Sequence, residues 1–318
     1  TGGVSNTSVD ISSTGGSTGH ATYAGALTMS STTGISSGRG TFAVSASGTN
    51  ISFSFYMVNA GELFVMVSDT VGFDTPLLIG KILKQTGGPY SAASFNGAVV
   101  MYMTGLVQMV NYGEPTPTSV LIARYGVTNG YGNGSLYENW GGQLVDTGGS
   151  IYANIDSTGR ATITSSNFSD SFVAYFVAPN TGFIMEYTTP SGGPMRFGFF
   201  EPQSNGPFAQ TTLSGEFFGG ATDPATSSVP YGNGIQIYDR NGGWSGTGNT
   251  IGPGSGQFPD QSVAGTYTIT DSTTGAATWQ GTYPGTYNKR FYVISPNKIA
   301  FVSAETAETY PILEVFEK

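Results

Sequence analysis

The chain repeats itself, and the repeat limits what it can fold into more than any other feature does. Gly88-Pro89-Tyr90 followed by Phe95-Asn96-Gly97 returns 118 residues later as Gly206-Pro207-Phe208 followed by Leu213-Ser214-Gly215. Pro76, Gly80 and Gln85 return at the same spacing as Pro194, Gly198 and Gln203. A third block occurs three times, centred on Tyr56, Tyr175 and Tyr292 at spacings of 119 and 117 residues. In each copy two apolar runs flank a short polar break: Asn59-Ala60-Gly61, Ala178-Pro179-Asn180 or Ser295-Pro296-Asn297. Proline presets φ for the first central position of a turn and Asn or Gly tolerates the second, so each block reads as a β-hairpin. An internal repeat has to be settled before any other reading of a fold.

The period divides the chain into units at residues 1–88, 89–206 and 207–318. Unit two reads as a meander of about eight strands, over 98–103, 119–127, 135–138, 150–155, 161–165, 171–177, 183–187 and 195–200. Gly, Pro, Asn and Asp lie between them, and no window has helical periodicity. The expected fold class is therefore all-β, with tandem antiparallel up-and-down β-barrel-like units. A flattened sandwich is the alternative, and a closed barrel has the advantage of leaving no exposed edge. Phe and Tyr, 20 and 18 in number, should fill the interiors from alternate strand positions. The junctions are only Gly-Gly-Pro or Gly-Pro, so the units should abut with little freedom, as in a stiff rod. Unit three carries a long segment, 244–261, expected as a loop, and unit two a longer front at 106–118. Unit one opens on Val4 to Ile11, which reads like Ile235 to Asp239, taken as the third strand of unit three. Some 30 residues, about one hairpin, are then missing from its front. Either they were cut away or are disordered, or a neighbouring molecule donates the strands.

Composition narrows the setting. Gly is 48 of 318 residues and charged residues are 10%, so the surface is clad in Ser, Thr, Asn and Gly. A neutral, hydroxyl-rich surface suits contacts with neighbours or glycans better than it suits solubility. Eleven Lys and Arg against twenty Asp and Glu give a net charge of −9, which argues against nucleic acid and anionic membranes as partners. The chain has no cysteine, hence no disulfide, thiolate metal site or cysteine nucleophile. No apolar run is long enough for a membrane helix. The chain starts at Thr1 without an initiator Met, as a mature piece of an exported precursor would.

Tyr231-Gly232-Asn233-Gly234, Tyr238-Asp239-Arg240-Asn241-Gly242-Gly243 and Gly265-Thr266-Tyr267-Thr268-Ile269 are glycine-rich segments of one style. Together with Gly38-Arg39-Gly40-Thr41 and Gly80-Lys81-Ile82-Leu83-Lys84-Gln85, they resemble the tandem β-repeat domains of uncharacterised secreted acidobacterial proteins. The resemblance covers every unit. It implies an extracellular, multi-repeat surface protein and carries over no activity, cofactor or catalytic residue.

Candidate chemistry is sparse. His20 is the only histidine; it sits in a glycine-flanked segment expected as a loop, and no nucleophile elbow accompanies it. Paired carboxylates could hydrolyse glycosides. The candidates are Glu138, Asp146, Glu186 and Glu201 in unit two and Asp239, Asp260 and Glu305 in unit three, and nothing in the sequence brings two of them together. Asp239-Arg240-Asn241-Gly242 begins like a Ca²⁺ loop but lacks the later ligands, and reads as a turn. Trp140, Trp244, Trp279 and Tyr131 are candidates for stacking on sugar rings, set against the commoner fate of such tryptophans, packing beneath glycine-rich loops. The expectation is an extracellular structural or adhesive protein, a self-assembling filament subunit with other copies of itself or cell-surface glycans as partners. A carbohydrate-binding module is the alternative and a glycoside hydrolase ranks below it. No enzyme activity, cofactor or metal is expected.

Overall fold

Short runs of alternating apolar and small polar residues, punctuated by Pro-Asn, Asn-Gly and Asp-containing turns, fold as a succession of antiparallel hairpins. The computed structural model describes residues 2–12, 18–28, 38–46, 49–69, 79–107, 118–166, 171–188, 194–221, 231–252, 256–281, 287–306 and 310–318. They belong to two compact units, one ending at residue 86 and one running from 87 to 318.

The smaller unit is a six-stranded sheet in sequence order: β1 (Gly2–Ser12), β2 (Thr18–Thr28), β3 (Arg39–Ala46), β4 (Thr49–Asn59), β5 (Glu62–Val67) and β6 (Ile79–Leu83). The larger unit contains two closed eight-stranded barrels. The first comprises β7 (Gly97–Val107), β8 (Thr118–Thr128), β9 (Tyr131–Trp140), β10 (Gln143–Ile155), β11 (Arg160–Ser165), β12 (Ser171–Ala178), β13 (Thr181–Thr188) and β14 (Pro194–Pro202). The second comprises β15 (Ser214–Ala221), β16 (Tyr231–Asp239), β17 (Gly243–Gly252), β18 (Gly256–Asp271), β19 (Ala276–Gly281), β20 (Tyr287–Ser295), β21 (Lys298–Ser303) and β22 (Leu313–Glu317).

Every strand expected for unit two is present, and the barrel form holds over the sandwich. The first barrel closes where β14 pairs with β7, from Pro194 opposite Val107 to Pro202 opposite Val99. The second closes where β22 pairs with β15, Phe218 lying opposite Glu317.

The repeat persists in backbone detail. Hairpins β4–β5, β12–β13 and β20–β21 each have a two-residue loop preceded by a one-residue register shift, at Met57/Asn59, Phe176/Ala178 and Val293/Ser295. In each, the amide at the bulge donates to the carbonyl of a positive-φ glycine: Met57 to Gly38, Phe176 to Gly159 and Val293 to Gly275. Gly134 and Gly246 occupy one repeat position, and a Cβ on either would fall 1.9 Å from the carbonyl oxygen of a neighbouring strand, Arg124 or Ile235. Only glycine lets the strands bend this closely there.

Each barrel is filled from alternate positions. Tyr125, Leu136, Ile163, Phe172, Phe176 and Phe200 are among the residues filling the first; Phe217, Tyr238, Tyr267, Phe291, Phe301 and Phe316 are among those filling the second. Corresponding segments after the two junctions close one end, placing Tyr90 and Phe95, or Phe208 and Leu213, in the core.

The outward-facing residues are not all for solvent. Val100, Tyr102, Val120 and Ile122 on β7 and β8 pack against Tyr292, Ile294, Ala300, Val302 and Leu313 on β20 to β22, forming a third buried cluster between the barrels. The Tyr137 and Tyr292 rings stack at 5.6 Å, and the Tyr292 and Ser135 hydroxyls lie 2.7 Å apart. Gln203 donates through Nε2 to the carbonyls of Thr274 and Val293, and Lys298 pairs with Glu201 at 2.8 Å. The barrels are therefore joined along their walls, not only through the short junction.

Three expectations need correction. The segment 244–261 contributes to strands β17 and β18 instead of a loop, because ladder hydrogen bonds use the backbone and tolerate its Gly, Ser and Thr side chains. Ile235 to Asp239 lies in β16, the second strand of its barrel; counting back from the shared hairpin, β1 takes the third position, leaving one hairpin's worth of strands unmatched. His20 lies in β2, opposite Asp10, and not in a loop. The expected longer front at 106–118 falls largely outside the described residues.

Truncating Tyr292 to Ala should cost about 3–5 kcal/mol in urea denaturation, the usual figure for a buried aromatic, against about 1 kcal/mol for Tyr292→Phe, which loses only the hydroxyl contact. The seam should also weaken in base. Burial pulls the Lys298 pKa down, but Glu201, followed by Glu317, outweighs it, so the folded value lies above the ordinary 10.5. Its stabilisation is intact below that pH and is lost as pH rises toward the folded value. Melting temperatures recorded across this range should fall more steeply for the wild type than for Lys298→Met.

Candidate binding site

The two barrels differ most at the end opposite their closed junction. The first is filled there by charge. Arg196 on β14, Glu138 on β9 and Glu186 on β13 all point inward and are buried. Arg196 Nε donates to Glu186 Oε1 at 2.9 Å and its backbone N–H donates to Glu186 Oε2 at 2.8 Å. Its Nη2 also bonds Glu186, and its Nη1 bonds Glu138. Burial alone would lower the guanidinium pKa, but Glu186 and Glu138 together hold it above its ordinary value, so the arginine stays charged.

Strand pairing fixes which residues of the second barrel stand in the same places. Gly97 with Val127 corresponds to Gly215 with Tyr238, and Ile163 with Phe172 corresponds to Trp279 with Lys289. By that register Leu136 is replaced by Gly248, Phe172 by Lys289, Glu186 by Ser303, Arg196 by Ile312 and Gly198 by Glu314. Bulk is removed and polar groups are added.

The result is a cavity of about 450 Å³ inside this end of the second barrel. Ile235, Val263, Ile312 and Phe316 provide apolar lining, while Asn233, Gln236, Asn249, Asn288, Ser303 and Glu305 provide polar lining. Trp244 and Trp279 also line it, with only 5% and 6% of their surfaces exposed. Their rings stack at 4.4 Å with planes 19° apart, and Trp244 Nε1 donates to the carbonyl of Gln280 at 3.1 Å. Lys289 Nζ lies 4.6 Å from the centre of the Trp279 ring and pairs with Glu314. Glu305 Oε1 accepts from the Asn288 backbone at 2.6 Å and from its side-chain amide at 2.8 Å. Burial holds the Tyr238 phenol well above its ordinary pKa, keeping it a donor to Gln236 Oε1 at 2.6 Å.

Of the four aromatics expected to stack on sugars, only Trp244 and Trp279 meet. Tyr131 is half exposed, its hydroxyl donating to Asn133 Oδ1 at 3.3 Å. Trp140 is half-buried at the other end of β9, about 30 Å away at the rise per residue of a strand. Trp244 belongs to the other barrel and is buried against Trp279, so packing rather than exposure describes it.

Of the carboxylates, Glu138 and Glu186 are brought together, but through Arg196. Glu201 accepts from the Tyr102 hydroxyl at 2.6 Å in the inter-barrel seam. Asp239 caps a turn, accepting from the Asn241 and Gly243 amides at 2.7 and 2.9 Å, as its sequence suggests. The residues that sequence reasoning missed, Lys289, Ser303 and Glu314, carry no local motif. Only the register between the two barrels singles them out.

No family profile matches the chain, and no curated protein matches it. Among solved structures, a kievitone hydratase from Nectria haematococca aligns over 74% of this chain and 96% of its own, at 10% identity and a TM-score of 0.24. A likeness that weak transfers neither fold nor activity.

The Arg196 cluster lends itself to a stability test. Arg196→Leu removes the buried cation that Glu138 and Glu186 share and should cost about 3–5 kcal/mol, whereas replacing all three residues together by Met or Leu should be neutral or stabilising. Urea denaturation of the full chain compares the two.

Proposed function

We propose that this is an extracellular adhesive protein that receives the end of a glycan, or a single sugar-sized polyol, in its second barrel, with the first barrel as a rigid mount. One observation carries the reading: where the first barrel packs Leu136, Glu186 and Arg196 inside, the second has Gly248, Ser303 and Ile312 around a lined cavity. Its volume lies within the ~300–1,000 Å³ of small-molecule sites. Amide, hydroxyl and charged groups around an apolar, indole-bearing wall match a molecule with both hydroxyls and a hydrocarbon face.

Binding is favoured over hydrolysis because the two carboxylates among the described lining residues are already engaged, Glu314 with Lys289 and Glu305 with Asn288. The low charge and abundant Ser and Thr of the surface support an extracellular setting and glycan contacts.

Gly248→Leu supplies the test, since it installs the side chain that Leu136 provides in the first barrel. Among the described residues, a Cβ at Gly248 would meet the Asn233 carbonyl at an ordinary 3.6 Å, so the barrel should tolerate it. Saccharides retained by the wild type on a glycan array should bind the variant at least about 100-fold more weakly in calorimetry, because the new side chain occupies the pocket, with no loss of melting temperature. A wild type that retains no saccharide, or a filled variant that binds as well, would end the proposal.

A further inference from the structure

The outer face of the six-stranded sheet bears five large apolar side chains on three adjacent strands: Tyr56 and Val58 on β4, Phe64 and Met66 on β5, and Ile79 on β6. All are exposed, between 48% and 75%. Tyr56 lies opposite Phe64 and Met66 opposite Ile79, so the patch is continuous. Soluble proteins seldom leave such a patch to water without a partner for it.

The repeat says what the partner looks like. Through the shared hairpin and its ladder, these positions correspond to Tyr292, Ile294, Val302, Ala300 and Leu313 of the second barrel: Tyr56 to Tyr292, Val58 to Ile294, Phe64 to Ala300, Met66 to Val302 and Ile79 to Leu313. In the second barrel this same face is at most 2% exposed, buried on the outer wall of the first hairpin of the preceding unit, at Val100, Tyr102, Val120 and Ile122. On the corresponding face of the first barrel, Tyr175, Val177, Phe183 and Met185 are half-buried, Phe183 packing on Phe199 at 5.1 Å, and of the five counterparts Phe197 alone is exposed. The six-stranded sheet is thus the unit that presents this docking face most openly.

A complementary wall is also uncovered. The first hairpin of the second barrel, β15–β16, places Phe218 where the first barrel has Val100, and both Phe218 and Ile237 are exposed on it. A groove beside them is lined by Glu216, Ile237, Ser245 and Thr247. We infer that the β4–β6 face of one copy docks on the β15–β16 wall of a second copy, repeating between chains the seam that joins the two barrels within one. The two surfaces differ, so the contact is heterologous and propagates head to tail. It uses whole sheet faces, not donated strands, and does not depend on the cavity.

Light scattering and sedimentation of the full chain over a concentration series test this, with two variants. Phe64→Lys with Met66→Lys blocks one surface, and Phe218→Lys blocks the other; all three side chains are exposed, so folding should survive, as circular dichroism melting will check. The wild type should grow beyond the dimer with concentration. Each variant alone should associate at least about 30-fold more weakly, the loss expected of a central contact. A one-to-one mixture of the two should form a two-chain species that grows no further, because one intact surface of each kind remains. A wild type that stays a single chain at every concentration, a variant that still polymerises, or a mixture that fails to pair would overturn the inference. Gly248→Leu should associate like the wild type, which keeps this outcome separate from that of glycan binding.

Discussion

An eight-stranded antiparallel barrel has room inside for little more than its own side chains. Every other property of this protein follows from how that space is filled. In the first barrel the filling is complete: aromatic and aliphatic layers rise from Tyr90 and Phe95 to Phe172, and a buried arginine held by two glutamates finishes the column. Such a cluster is a poor source of net stability compared with apolar packing. Its effect is to occupy the end of the barrel with groups that satisfy one another. In the second barrel Gly248, Ser303 and Ile312 stand where the first has Leu136, Glu186 and Arg196. The aromatic bulk sits lower, in the Trp244–Trp279 stack, and a cavity remains above it. One repeated geometry is thus filled in one copy and left hollow in the next.

The outside of the barrels obeys the same economy of positions. Period-two alternation gives every strand a second face, and in a chain with only 10% charged residues that face cannot all be solvated by Lys and Glu. Between the barrels it becomes a core in its own right, centred on Tyr292 with essentially no exposure. Short junctions alone would have allowed the units to pivot; the buried seam with Gln203 and Lys298 at its margins does not.

Much of this was legible in the residues. Pro-Asn and Asn-Ala-Gly breaks between apolar runs located three hairpins, and the period located the barrels, because turn chemistry and alternation are local properties. The glycine-rich 244–261 stretch was misread because it is backbone that pairs there, with side chains too small to show a pattern. Trp244 was taken as a candidate sugar platform, yet its partner Trp279 lies 35 residues away on β19, and their stacking depends on barrel closure. The Arg196 cluster had a faint signature, since Arg196 and Glu186 share inward parity with Phe200 and Ile184. Parity reveals a buried charge, but only the register among β9, β13 and β14 reveals its partner.

The cavity and the seam are two sides of one wall. On β20 to β22, Lys289, Ser303 and Glu314 face inward to line the cavity, while Tyr292, Val302 and Leu313, one to three residues along the same strands, face outward into the seam. The three strands that carry these lining residues are therefore backed by the first barrel instead of by water. A polar pocket with glycines at Gly248 and Gly281 lacks the packed interior that would otherwise keep its wall in shape. Support from outside, along β20 to β22, supplies what the emptied interior gave up.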